Sequence, residues 1–311
     1  LTGDGRYLDV LERILYNGFL SGISLSGDRF FYPNPLASDG RTAFNEGGAT
    51  RVPWFQCACC PPNIARLMAS LPGYVYAQTG RTVYVNQFVN GTARLSVDGV
   101  ALRLTQQSDY PWQGDIRIRV EPDAAATFTL RVRVPGWARH EAIPGGLYRF
   151  LDRRLDTVTL AVNGHPVPVK PDHGFAIIER HWQPGDTVTL HLPLPVRTVS
   201  ARDDVAADRG RVAFQRGPIV FCAEGADNAG RVLDLAIPLR NESRAGFDYT
   251  FRSDLLGGVG LLTGSARRRG AEQRERITLV PYYAWSHRGA GEMTVWFPAE
   301  LPVRSPRSQS E

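Results

Sequence analysis

Three cysteines within four positions, Cys57, Cys59 and Cys60, are the residues of this 311-residue chain whose type and spacing point most directly to chemistry. Pro61 and Pro62 follow at once, and proline suits the first helical positions, where a backbone N–H has no partner to lose. Ile64, Leu67, Met68 and Leu71 then recur at helical spacing until Leu71-Pro72-Gly73 ends the run. The cysteines therefore lie at or just before a helix N-terminus, where unpaired amides and the helix dipole favour a thiolate over a thiol. A thiolate is both a strong nucleophile and a soft metal ligand.

Other uses of cysteine compete with that one. Cys222, inside the apolar run Ile219-Val220-Phe221-Cys222, reads as a buried core residue. Adjacent Cys59 and Cys60 are poorly placed to bridge each other, and four cysteines are few for a disulfide-stapled protein. Cys57 and Cys60 form a CxxC pair, a redox signature in a strand–helix–strand setting that this stretch lacks. A self-contained zinc ribbon needs a second ligand pair nearby, so a metal here needs ligands from outside the stretch.

The elements that must position these residues divide the chain in two. A first helix follows Asp4, which can cap it, with Tyr7, Leu8, Leu11, Ile14, Leu15 and Phe19 at three- and four-residue spacing. Residues 25–35 read as a hairpin or extended excursion and 37–53 as a loop. The stripe of the first helix must bury itself on something, so residues 1–73 are expected to be the end of a larger helical domain and labile when alone. From Gly73 onward short alternating runs take over, at 82–89, 93–97, 101–105, 115–120, 127–134, 158–162, 175–180 and 187–192, many separated by turns such as Asn90-Gly91 and Asn163-Gly164. A second group begins near Arg211 and closes at 293–297. The stretch 196–210 reads as charged and strand-poor, which places a boundary between a middle β region (74–196) and a C-terminal one (197–311). The fold class expected is a mainly β, multidomain α+β fragment with two antiparallel β-sandwich regions.

Composition narrows the function classes. Apolar content is ordinary and no run approaches a membrane span, so no membrane partner is expected. The net charge is +5, yet Lys170 is the only lysine and the arginines are scattered along alternating strands. Without a basic stripe or a recognisable module, nucleic acid is not an expected partner. The six histidines are spread out without metal-ligand spacing, and Trp137, His181-Trp182 and Trp285 read as packing residues. Isolated Asp and Glu residues read as solvated surface.

Several segments, in order along nearly the whole chain, carry a resemblance. They include residues 7–17, Phe30-Phe31-Tyr32-Pro33-Asn34-Pro35, Cys59-Cys60-Pro61-Pro62-Asn63 and Arg133-Val134-Pro135-Gly136-Trp137. Further on come Gln215-Arg216-Gly217-Pro218 and Pro281-Tyr282-Tyr283-Ala284-Trp285. Together they resemble family 127 of the glycoside hydrolases, the β-L-arabinofuranosidases. The resemblance implies an (α/α)6 catalytic barrel followed by β-sandwich domains, of which residues 1–73 would be the barrel's end. It implies a retaining mechanism with Cys59 as nucleophile and zinc ligand, Cys60 as a second zinc ligand, and Tyr32 lining the sugar pocket. The remaining ligands would come from a Glu-Thr-Cys motif, and the general acid/base from a glutamate, both upstream of the matched residues; this sequence contains no Glu-Thr-Cys. The substrate implied is an arabinofuranoside-containing oligosaccharide or glycoconjugate, and the complete protein is expected to be a cytoplasmic homodimer. From another class, a non-catalytic carbohydrate-binding or structural β-sandwich protein is the alternative.

Overall fold

A computed structural model describes residues 2–152, 156–239 and 246–300, so the outer end of the C-terminal region, 301–311, lies outside the described residues. The first helix, α1 (Arg6–Ile14), has Gly5 rather than Asp4 at its N-cap, while Asp4 Oδ1 accepts from the Arg6 N–H at 2.9 Å from one residue further out. It runs into a wider helical turn, Leu15–Phe19. Leu15 and Phe19 pack on Ile64 of α2 (Cys60–Ser70), as an amphipathic stripe should.

The other end of α1 reverses the expectation. Tyr7, Val10 and Ile14 are exposed, whereas Asp9 and Glu12 are buried. Their partner is Arg133, at 0 % exposure the most deeply buried cation of the chain's described part. Arg133 donates to Asp9 Oδ1 at 2.9 Å, to Glu12 Oε1 and to Asn86 O at 2.6 Å. Tyr110 and Trp137 also donate to Glu12, at 2.6 and 3.1 Å, and Gly136 N donates to Asp9 at 3.0 Å. Burial raises the Asp9 pKa, and Arg133 and the Gly136 amide oppose that rise. A buried charge persists only when it is paired and hydrogen-bonded, and here both carboxylates are. α1 is thus keyed to the β region through its charged face.

Residues 76–191 hold two sheets. One has six strands in the order His165–Val167, Thr159–Val162, Asp186–His191, Asp115–Pro122, Val100–Ser108 and Gly91–Val97. The other runs Phe175–Trp182, Ala126–Arg133, Thr82–Val85 and Tyr76–Thr79, with its central pair parallel. Alternation predicts this: in Asp115–Pro122 every second residue is buried, and Ile116, Ile118 and Val120 meet Val83, Leu130 and Val132 of the other sheet in one apolar core.

The C-terminal strands belong to one sheet, which has eleven strands among the described residues. It is not flat. Arg211–Arg216 pairs with both Ile219–Glu224 and Phe297–Glu300, and the path between those two through Arg274–Pro281, Val259–Arg268 and Leu235–Pro238 closes a ring. Phe214, Phe221, Leu262, Leu279 and Phe297 belong to the second core. Three findings differ from the sequence reading. Val196–Ala201 is a strand, paired with Arg211–Arg216, although 196–210 read as strand-poor. Its alternation was hidden by Arg197, which is buried against Asp152 at 2.9 Å and over the Phe150 ring at 4.0 Å. Tyr148–Phe150, inside the middle region by sequence, pairs with Val196–Ala201 in the C-terminal sheet. Within the expected loop 37–53, the short strand β1 (Ala37–Asp39) adds to the edge of that sheet against Glu292–Thr294. No helix among the described residues is long and apolar enough to cross a membrane.

Candidate active site

Cys59 occupies the N-cap of α2, with the two prolines in the first turn. Pro61 and Pro62 carry no N–H and Asn63 N donates to Cys59 O at 3.2 Å, so the helix end favours negative charge at the sulfur through its dipole rather than through a row of free amides. Tyr32, from the excursion before β1, brings its hydroxyl to 3.3 Å from Cys59 Sγ. Cys60 Sγ lies 3.8 Å from Cys59 Sγ and 3.9 Å from Tyr32 O. The structure therefore brings together the three residues singled out from the sequence, Tyr32, Cys59 and Cys60. Cys57 lies on the same exposed loop, while Cys222 is remote and fully buried in the C-terminal sheet.

The electrostatics distinguish the thiols. The Tyr32 hydroxyl, and after it the Cys60 thiol, lower the Cys59 pKa. Tyr32 is pushed up to about 12 because its proton is held on that sulfur. Burial raises Cys60 instead, and a neighbouring thiolate at Cys59 adds to the rise. Cys222 is raised well above an ordinary thiol by burial, with Glu224 adding to it. One exposed sulfur is thus set apart as the most ready to ionise, with its proton donor beside it.

Tyr32 is fixed from behind. Its N–H donates to Asn45 Oδ1 at 2.7 Å, and Asn45, at 0 % exposure, donates onward to Phe30 O and Thr50 O. Its ring meets the buried Phe55 edge-on at 5.3 Å. Neither Asn45 nor Phe55 stood out in the sequence, since an asparagine in a Gly-rich polar stretch looks like any loop asparagine. Asp9 and Glu12 were also missed as buried groups, though their i, i+3 spacing opposite Tyr7 and Val10 is a signal that one helix face is charged.

The residues present were tested against the zinc that the resemblance implies. Two thiolates at about 2.3 Å from one tetrahedral zinc stand about 3.8 Å apart, and Cys59 and Cys60 are at that separation. No group of three or more His, Cys, Asp or Glu side chains converges among the described residues. The donor pair fits the metal in softness and spacing, and it supplies part of a four-ligand set.

Comparison with known proteins places this geometry. Three family models match in succession: the beta-L-arabinofuranosidase GH127 catalytic domain over residues 1–73, the GH127 middle domain over 82–194 and the family 127 C-terminal domain over 196–298. A non-reducing end beta-L-arabinofuranosidase of Bifidobacterium longum subsp. longum is 36 % identical, aligned over 95 % of this chain and 46 % of its own length. A solved GH127 beta-arabinofuranosidase superposes with a TM-score of 0.90 at 42 % identity, covering 96 % of this chain and 46 % of that one. A GH127 beta-L-arabinofuranosidase from Geobacillus stearothermophilus T6 gives 0.84 at 38 % identity, with 96 % and 47 % covered. The chain spans about half the length of the relatives it matches. On three successive domain matches and these likenesses, the chain belongs to glycoside hydrolase family 127.

Proposed function

We propose that this chain supplies the nucleophile of a retaining, β-L-arabinofuranosidase-like glycoside hydrolase, with Cys59 as that nucleophile. The observation that carries the reading is the exposed Cys59 sulfur at a helix N-terminus, 3.3 Å from the Tyr32 hydroxyl. Most glycosidases use two carboxylates, and a thiolate can take the nucleophile's place when its pKa is lowered. Cys59 attacks the anomeric carbon, forming a C–S bond as the glycosidic C–O bond breaks. The leaving oxygen takes a proton from the acid/base glutamate, which the resemblance places upstream of the residues matched here. That carboxylate then deprotonates a water, which attacks the same carbon and returns the thiolate with the configuration retained. Tyr32 holds a proton at Cys59 Sγ and lines the sugar site. Cys59 and Cys60 would hold zinc, which when bound stabilises thiolate charge.

In this reading residues 1–73 close an (α/α)6 barrel, the middle β region is a sandwich-like module and the C-terminal one is the closed sheet described above. The complete protein is a cytoplasmic homodimer acting on an arabinofuranoside-containing oligosaccharide or glycoconjugate. The test is turnover of a β-L-arabinofuranoside by the complete enzyme. Cys59→Ala should abolish it, and Cys59→Ser should do nearly the same, because an alkoxide is far harder to form than a thiolate at neutral pH. Near-normal turnover by a folded Cys59→Ala enzyme would remove Cys59 from the mechanism and leave it only a structural role.

A further inference from the structure

The Tyr32 side chain is itself exposed, so its place on Cys59 depends on how its backbone is held. The residues on both sides of Tyr32 are held by the C-terminal sheet. On the near side, the Phe31 ring stacks on Trp285 at 4.9 Å and an interplanar angle of 16°, both residues 1 % exposed. Arg51 lies over the Phe31 ring, 4.3 Å from its centroid, and donates to Trp285 O at 2.7 Å and Tyr283 O at 3.2 Å. On the far side, the Tyr282 hydroxyl donates to Pro35 O at 2.9 Å and Val295 N donates to Leu36 O at 2.9 Å. β1 then continues as an edge strand of the same sheet. Phe31 through Asp39 is thus suspended between contacts supplied by residues 282–295.

We infer that the turn Tyr282–Ala284 with Trp285 is a positioning element for Tyr32: the C-terminal module completes the nucleophile's surroundings by holding the Tyr32 hydroxyl on the Cys59 sulfur. The inference rests on Cys59 being the reactive thiol, and it gives the C-terminal module a task at a site built on other elements. If the contacts served stability alone, losing them would alter the reactivity of Cys59 to the same degree whether or not Tyr32 carried its hydroxyl.

The test is a double-mutant cycle on the 311-residue chain, treated with chelator and alkylated with iodoacetamide at one pH. Fragment-ion mapping resolves Cys59 from Cys57 and Cys60. Tyr32→Phe should slow Cys59 alkylation by about two- to tenfold, the range for one lost hydrogen bond. Tyr282→Phe and Trp285→Phe should each reproduce part of that loss, and neither should slow the reaction further in the Tyr32→Phe background. Equal losses in both backgrounds would overturn the inference. So would an unchanged rate in both turn variants, or no effect of Tyr32→Phe. Should Trp285→Phe fail to fold, Tyr282→Phe, which removes one oxygen and keeps the ring, carries the test alone. Labelling uses no sugar, so the two readings fail separately: missing coupling with an inactive Cys59→Ala enzyme sinks only the positioning role, and coupling with an active one sinks only the role of Cys59 as nucleophile.

Discussion

Replacing Arg133 by methionine probes the network that keys α1 to the β region. The side chain keeps comparable reach but loses the charge that faces Asp9 and Glu12. Asp9 would retain Gly136 N at 3.0 Å and Arg139 at 3.2 Å, and Glu12 would retain Tyr110 and Trp137. Asn86 O would lose a 2.6 Å donor. Breaking a buried ion pair by removing one partner costs about 3–5 kcal/mol, mostly the penalty of the charge left behind. At about 2–4 °C per kcal/mol for a domain of 150–250 residues, the melting temperature should fall by roughly 10 °C. The loss carries a pH signature. In the variant Asp9 loses the cation that opposed the effect of its burial, so its folded pKa rises further above the unfolded one. The folded state then binds more protons than the unfolded state, and stability falls as pH rises. Urea or thermal unfolding of both proteins at pH 5 and pH 8 checks this, and the gap between them should be wider at pH 8. A gap below about 1 kcal/mol at pH 8, under the cost of one broken buried pair, would refute the claim that this network holds α1 in place.

Other consequences can be measured on the same chain. Burial, and then Arg51, pull His287 down to about 4, so it is neutral when folded and protonated when unfolded between about pH 4 and its ordinary 6.5. The unfolded state binds more protons there, so stability should fall as pH drops through that window. His287→Gln should flatten the acid limb of a melting-temperature profile, and an unchanged limb would count against it. Trypsin should cut first at Arg66, exposed on a helix whose buried residues are Pro61 and Ile64, and late at Arg51, which is buried. Early cleavage at Arg51 would contradict the clamp described for the Tyr32 segment.

Much of the fold was legible because strands with one buried face alternate, and Asp115–Pro122 or Ala126–Arg133 announce themselves that way. What escaped was structure held by polar groups. Val196–Ala201 hides its period behind a buried arginine, and the inner face of α1 carries Asp9 and Glu12, residues that by type belong outside. At the site, the cysteine cluster and its helix start follow from proline placement and spacing. Tyr32 came from the resemblance, and its contact with Cys59 depends on a long-range arrangement that no local window contains. Asn45 and Trp285 act on it through backbone atoms and ring faces, which leave no pattern in a single sequence.

The pairing of β1 with Glu292–Thr294 also bears on how the protein is made. Its partners are separated by about 250 residues, a wait of roughly 10–50 s at ribosomal speeds of about 5–20 residues per second. During that interval β1 is an unpaired edge, and the segment bearing Tyr32 lacks the Trp285 turn that frames it. A nascent chain halted before Trp285 would therefore carry all three thiols of the Cys57–Cys60 loop with an unframed Tyr32. The surroundings of Cys59 would be assembled only once residues 282–295 have been made, and the open edge of β1 would until then be a place for wrong pairing.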